Sequence, residues 1–335
     1  MRDVAAHAGV STRTVSNVVN DYHYVSATMR AKVQAALDEL DYKPNLMARG
    51  LKQGRTGIIT LLLPKIAVPY FGEIAHEVVE RASHLGCTVM IDETGGHADR
   101  ELALLDEAAR SGWVDGVLLS AEGLNGSALA NLPVDIPVVL LGERTAKTTH
   151  DHVGIDNVGA SRSATRHLID IGCRRIAALG GNTSRGDMTS RLRFKGYRAA
   201  LRDADLPADD ALYARTPQYA RGDAAPAIRQ LLQLAEPPDA IFCFSDELAA
   251  GALRELHELG VSVPGQMKIV GFDDIDETRF CIPTITSIRP DKADIADTAL
   301  TMLLDRVNGS TVQPHDVKVT YELIARESSA ASTSR

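Results

Sequence analysis

The chain has few of the features that would assign it a chemistry at once. Its four cysteines, Cys87, Cys173, Cys243 and Cys281, lie far apart and form no CxxC or Cys/His cluster, so neither a disulfide framework nor a structural zinc site is indicated. Cys87 and Cys243 sit in apolar runs and read as small core residues. The ten histidines are scattered without metal-ligand spacing, and no metal or cofactor is expected. No GxSxG elbow occurs, and Gly180-Gly181-Asn182 lacks the spacing of a dinucleotide-binding loop. Without a nucleophile–base set, an α/β enzyme is a poor fit. No run of about 18 apolar residues is present and no charged-then-apolar leader opens the chain, so a cytoplasmic protein without a membrane partner is expected.

What is present begins with an uneven charge distribution. The net charge of −8 counts against nucleic acid when taken whole. Residues 1–55, however, hold eight Lys/Arg against five Asp/Glu, which leaves 28 against 39 for the rest of the chain. A basic head on an acidic body is the pattern of a reading module attached to a separate sensing module. With 335 residues, two or three domains are expected.

Three short helices open the chain. Residues 2–9 put Val4, Ala5 and Ala8 on one face, and Gly9 ends the helix. Ser11 is a natural N-cap for a second helix over 12–19, with Val15, Val18 and Val19 inward. A third runs from Ser26 to about Leu40 with Met29, Val33, Leu37 and Leu40 at helical spacing. The outer face of the second helix carries Ser11, Thr12, Arg13, Ser16 and Asn17. All are hydrogen-bonding side chains with no carboxylate among them, which suits phosphates and base edges. Residues 44–51 (PNLMARGL) are too few to persist as an isolated helix, and Gly50 weakens it by about 1 kcal/mol more.

From Ile58 onward apolar strands alternate with amphipathic helices in two successive sets, the signature of two parallel sheets covered on both faces. Ligands bind such sheets at the carboxyl ends of the strands. Polar, directional residues fall just after predicted strands or at helix starts: Asp156, Arg193, Ser245, Asp246 and Asp273. Arg193 offers a rigid donor fork and Asp273 an acceptor for paired hydroxyls, a combination suited to a polyol or sugar. Asp246 reads equally as a helix N-cap or as a ligand contact.

The segment D-V-A-x-x-A-G-V-S-x-x-T-V-S-x-V-x-N closely resembles the N-terminal signature of the LacI/GalR family of bacterial transcriptional regulators. KPNLMARGL, PYF, VGIDNVGA, SRLRFKGY, SDELAAGAL, IVGFDDID and TSIRP follow in that family's order, so the resemblance covers about residues 2–327. It implies an α/β protein: an N-terminal three-helix helix-turn-helix head plus two doubly wound parallel-sheet lobes of the periplasmic-binding-protein-like type. The head is expected over 1–43, a hinge helix and linker over 44–56, and an effector-binding and dimerisation body over 57–327. Within the body, the first lobe is expected at about 57–156 and 287–314, and the second at about 157–284 and 317–327. A disordered tail over 328–335 completes the expectation.

The resemblance also implies roles. Thr12, Arg13 and Asn17 match positions that read base edges, and Ser11, Thr14 and Ser16 those that grip phosphates; Asn20 begins the following loop. Where family members often carry Arg, this chain has Asn17, which favours adenine over guanine. Leu51 matches a wedge that opens a base step in the minor groove, with Asn45 and Arg49 against the backbone. Tyr70, Phe71 and Tyr219 match positions that place rings against the ligand, and Ser245 stands where sugar-responsive members more usually have Asn. The expected protein is a homodimeric repressor on a pseudo-palindromic double-stranded operator, controlled by a small-molecule effector, with a sugar expected and a purine-type co-repressor as the alternative. A cytosolic sugar-binding protein is the rival without DNA, and residues 1–51 argue against it.

Overall fold

The computed structural model describes residues 1–19, 22–42, 55–124, 128–129, 132, 135–143, 149–181 and 188–330. These divide into two compact units, Met1–Gly57 and Ile58–Arg335.

The first unit is built on three helices, α1 (Arg2–His7), α2 (Thr12–Val19) and α3 (Ala27–Glu39). Their shared core is made of small and β-branched side chains: Val4, Ala5, Ala8, Val15, Val18, Val33, Ala36 and Leu37. Between α1 and α2 the chain reverses through Gly9 at φ +55°. The Gly9 amide bonds the Ala6 carbonyl and the Val10 amide the Ala5 carbonyl, while Val10 packs against the core. This pair of bonds satisfies the helix's last carbonyls and requires a left-handed residue between them, which glycine adopts without strain. Ser26 caps α3 by accepting from the Met29 amide at 3.3 Å. The inner face of α3 is Val33, Ala36 and Leu37 rather than the expected run to Leu40. The helix stops at Glu39, and Leu40 is left 42% exposed beyond it.

The second unit holds two six-stranded sheets. In the first the order is β11-β5-β4-β3-β1-β2, with β1 Ile58–Leu63, β2 Thr88–Glu93, β3 Gly116–Ser120, β4 Val138–Leu141, β5 Asp151–Ile155 and β11 Asp316–Val319. In the second it is β12-β10-β9-β8-β6-β7, with β6 Ile176–Leu179, β7 Tyr213–Ala214, β8 Ala240–Cys243, β9 Lys268–Phe272, β10 Thr286–Pro290 and β12 Tyr321–Ile324. All pairings are parallel except β10 with β12.

Helices α4 (Pro69–His84) and α10 (Lys292–Val307) cover one face of the first sheet, and α5 (Ala98–Ser111) the other. Alternation along β1 follows: Leu61 and Leu63 join the first core, Leu62 the second, and none is exposed to any extent. In the second lobe, α6 (Asn157–Asp170) and α7 (Met188–Asp203) lie on one face, α8 (Arg221–Leu232) and α9 (Asp246–Glu258) on the other. A methyl group at Gly196 would sit 2.3 Å from the Val158 carbonyl, so this glycine lets α7 close on α6.

Two expected boundaries are corrected. Strand β10 belongs to the second sheet because its backbone pairs with β9 and β12, so the return to the first lobe comes after Pro290 rather than at 287. Strand β11 belongs to the first sheet through its pairing with β5, although 317 was expected to open the second lobe's last segment. The tail also differs. Glu327–Ser329 forms a 3-10 turn whose serines are buried. Ser328 Oγ accepts from the Thr286 amide at 2.9 Å and donates to the Ile269 carbonyl at 2.7 Å. The expected disorder therefore does not begin at 328, and residues 331–335 lie outside the described residues. Among the described residues no helix is long and apolar enough to cross a membrane.

Candidate DNA-reading face and ligand crevice

Helix α2 buries Val15 and Val18 and leaves Thr12 and Arg13 exposed, with Thr14, Ser16 and Asn17 half-buried. The Thr14 amide donates to Ser11 Oγ at 3.1 Å, and the two hydroxyls lie 2.9 Å apart. Ser11 and Thr14 thus order the first turn, which contains no acidic residue. The partial positive charge at this helix start is left uncompensated and favours an anion. Arg13 has no acidic partner among the described residues. After α2 the Asn17 carbonyl accepts from the Tyr22 amide at 2.9 Å, and Arg30 Nη2 donates to the Tyr22 carbonyl at 3.1 Å. The rings of Tyr22, His23 and Tyr24 then cluster on the surface, with Tyr24 79% exposed. Nothing in the sequence of a polar loop shows that these rings turn outward. Asn20, Asn45, Arg49 and Leu51 lie outside the described residues.

In the body, Arg193 projects from the buried face of α7 into the carboxyl ends of the second sheet. Its Nε donates to Asn157 Oδ1 at 2.9 Å, Nη1 donates to the Phe244 carbonyl, and Nη2 reaches Asp273 Oδ1 at 3.5 Å. Its guanidinium carbon lies 3.5 Å from the centroid of the Phe272 ring. Asp273, just after β9, is 8% exposed with φ +106°. Burial pushes its carboxyl up to about 6, with Glu143 pushing the same way while Arg193 and Lys292 pull it back.

The first lobe supplies the opposite wall. Tyr70 and Phe71 open α4 with their rings edge-on at 5.4 Å. Burial raises the Tyr70 phenol well above its ordinary value; Asp273 and Glu143 add to the rise and Arg193 opposes it. All four groups therefore act on one space between the lobes. Asn157, fully withdrawn from solvent, also donates from Nδ2 to Glu143 Oε1 at 2.9 Å, so one amide joins the first lobe to Arg193. A second link runs through Glu73 on α4, which accepts from Lys292 Nζ at 2.5 Å and from the Asp276 amide at 2.8 Å.

Asn157, Glu143, Phe272 and Lys292 were not among the residues expected at the site. Asn157 directly follows Asp156 in GIDN, and nothing in that segment shows which of the two faces Arg193. Asp156 is exposed and accepts from the Gly159 amide at 3.0 Å, capping α6.

The remaining candidates have structural partners. Ser245 caps α9, accepting from the Leu248 amide at 3.2 Å. Asp246 is corrected to a structural part. It has no exposed surface for a ligand, and its two oxygens accept from the Ile275 amide at 3.0 Å and Ser287 Oγ at 2.7 Å. Burial drives its carboxyl well above the ordinary range, with Asp273 and Asp274 adding to the rise. The Tyr219 hydroxyl is bonded to Ser190 Oγ in the first turn of α7.

The crevice thus sets Arg193 against Asp273 and Glu143, with Lys292 and Glu73 bonded to each other. Among the described residues no excess of positive charge remains for an anionic ligand. Acceptors and donors in near balance beside aromatic rings fit a neutral polyhydroxy molecule.

Residues 1–45 match the family model "Bacterial regulatory proteins, lacI family", and residues 165–329 the model "Periplasmic binding protein-like domain". A curated relative, the HTH-type transcriptional repressor PurR of Yersinia pestis bv. Antiqua (strain Antiqua), is 33% identical over 338 residues, covering 98% of this chain and 96% of the relative. Among solved structures, the lac repressor dimer bound to operator and the anti-inducer ONPF is similar with a TM-score of 0.85 at 26% identity, covering 98% of each chain. The transcriptional regulator CelR–cellobiose complex is similar with a TM-score of 0.74 at 30% identity, covering 97% of this chain and 98% of that one.

Proposed function

The chain belongs to the lacI family of bacterial regulatory proteins, and from that premise we propose a cytoplasmic homodimeric repressor, not an enzyme, whose hold on a pseudo-palindromic operator is set by a neutral sugar bound between the lobes. The observation that carries the sugar reading is the crevice of Arg193, Asp273, Glu143 and Tyr70, where a single guanidinium faces two carboxylates beside an aromatic ring. The relative solved with cellobiose supports the same class. A ligand that bridges Tyr70 on one lobe and Asp273 on the other favours the closed arrangement by its differential affinity, and DNA affinity follows by linkage.

Thermal-shift screening of the full chain against neutral sugars, sugar phosphates and nucleobases tests this. A neutral sugar should raise the melting temperature and change operator affinity. Stabilisation by a nucleobase alone would replace the sugar with the purine-type alternative.

On the DNA side, Arg13→Ala is expected to cost about 1–3 kcal/mol and to relax choice at one base position per half-site. A uniform loss over all operator variants would make Arg13 a phosphate contact instead. Operator affinity should also fall steeply with salt as phosphate contacts release counterions.

Dimerisation has a candidate surface on the body. Strand β2 is the edge of the first sheet and exposes Met90 and Ile91, while Phe280 is 77% and Ile282 93% exposed on the second lobe. An uncovered apolar edge is a liability unless another chain covers it. The double variant Met90→Asp/Ile282→Asp should sediment as a monomer at concentrations where the wild type is a dimer. A variant that remains dimeric would place the interface elsewhere.

A further inference from the structure

Most arginines in the body have a carboxylate partner: Arg175 with Asp209 at 3.2 Å, Arg229 with Glu255 at 2.6 Å, and Arg306 with Asp151 at 2.7 Å among them. One face of α7 departs from this. Arg191, Lys195, Arg198 and Arg202 follow at intervals of four, three and four residues, which aligns them along the side opposite the buried Arg193, Tyr197 and Leu201.

No carboxylate lies within ion-pair distance of Arg191, Lys195 or Arg198 among the described residues. Arg202 has only Asp203 at 3.9 Å, and that carboxylate is held by Arg162 at 2.7 Å. Like charges at these spacings repel one another. They line a groove of about 700 Å³, open to solvent, whose other walls include Phe194 and Leu206 and whose one acid is Asp205. Beneath it Phe194 stacks on Tyr213 at 4.2 Å, with Arg198 over one ring at 5.8 Å and Arg215 over the other at 4.9 Å. An acidic chain has thus gathered cations around an apolar floor, three of them without a carboxylate partner among the described residues.

We propose that this groove is a second ligand site, distinct from the inter-lobe crevice, that binds a small organic diphosphate of the nucleoside diphosphate kind. Guanidinium forks match phosphate oxygens two at a time, and neighbouring cations on successive turns suit two linked phosphates better than one. Phe194 and Leu206 give an organic group an apolar surface that a bare inorganic ion would not use.

Titration calorimetry of the full-length protein with ADP, pyrophosphate and orthophosphate tests the assignment. ADP should bind saturably at one site per chain, more tightly than pyrophosphate and far more tightly than orthophosphate. Lys195→Glu/Arg198→Glu should weaken ADP by more than about tenfold, and the milder Lys195→Ala should weaken it less. Arg254→Glu, which disturbs an exposed pair with Glu258 on α9, should leave it unchanged. Asp273→Asn should also leave ADP binding intact, which separates this site from the crevice. The proposal is overturned by any of four results: no saturable ADP binding, equal binding of orthophosphate, undiminished affinity in the double variant, or displacement of ADP by duplex DNA.

Discussion

Asp273→Ala is expected to leave operator binding at its wild-type level while removing the effector's influence on it. Asp273 sits at the mouth of the second sheet with Arg193 Nη2 at 3.5 Å, and both side chains keep only a small exposed surface. Removing it takes away the acceptor for ligand hydroxyls and leaves a buried guanidinium with its charge less compensated, a loss of about 2–5 kcal/mol in ligand affinity.

Because the backbone there is at φ +106°, alanine adds strain that asparagine tolerates better, so Asp273→Asn separates the chemistry from the backbone. Asparagine should lose most of the response with a near-native melting temperature. Calorimetry with the effector, paired with gel-shift titration of the operator, reads both quantities. A response by Asp273→Asn at wild-type effector concentrations would return Asp273 to a structural part.

The same carboxyl predicts a pH dependence. Its value of about 6 in the folded protein lies above the ordinary 3.8 because burial disfavours the charge. Protonation therefore stabilises the fold, and this contribution is fully present below about 3.8 and is lost as pH rises through about 6. The unliganded body should accordingly gain up to about 3 kcal/mol from this group on acidification. Effector affinity runs the other way, since the ligand needs the ionised acceptor. It should fall toward tenfold per unit below pH 6, and Asp273→Asn should flatten that profile.

The second large effect is on stability. Asp246→Ala should lower the melting temperature of the body by several degrees or prevent folding, whereas Asp246→Asn should be nearly silent. Alanine leaves the Ile275 amide unsatisfied in a site without solvent, at about 1–3 kcal/mol, and leaves the Ser287 hydroxyl only the Asp274 amide and a long 3.4 Å bond to the Ile288 carbonyl. Asparagine keeps an acceptor for the amide and offers its own NH2 to Ser287 Oγ. Burial raises the Asp246 carboxyl well above its ordinary range, so a neutral amide is a mild replacement at this position. If Asp246→Asn instead abolished effector binding without moving the melting temperature, its assignment as a pin for the loop after β9 would fail.

These two aspartates show how far residue type and position reach. Both lie where a strand gives way to the next segment, and both are acidic, so a reading by position places both in the ligand crevice. They differ in what the fold brings to them. Asp273 meets Arg193 and, across the lobes, the field of Tyr70 and Glu143. Asp246 is instead enclosed by the turn at Ile275 and by Ser287 on β10, more than 25 residues away in each case. Ser245, one position earlier, takes the capping bond for which Asp246 was a candidate.

The sequence by itself determined everything that depends on local spacing. The three head helices, the left-handed turn at Gly9, the exposed donor face at Thr12 and Arg13, and the alternation of strand and helix in the body are of this kind. Hydrophobic period and cap chemistry act over a few residues, and those residues are neighbours in the chain. Tertiary structure alone decided which sheet β10 and β11 joined, that Ser328 and Ser329 became buried, and that Asn157 rather than Asp156 turned toward Arg193. Each is a choice among partners far apart in the chain, made by backbone pairing and by the burial of polar groups that must find a hydrogen bond. Neither leaves a periodic trace in the residues that make the choice.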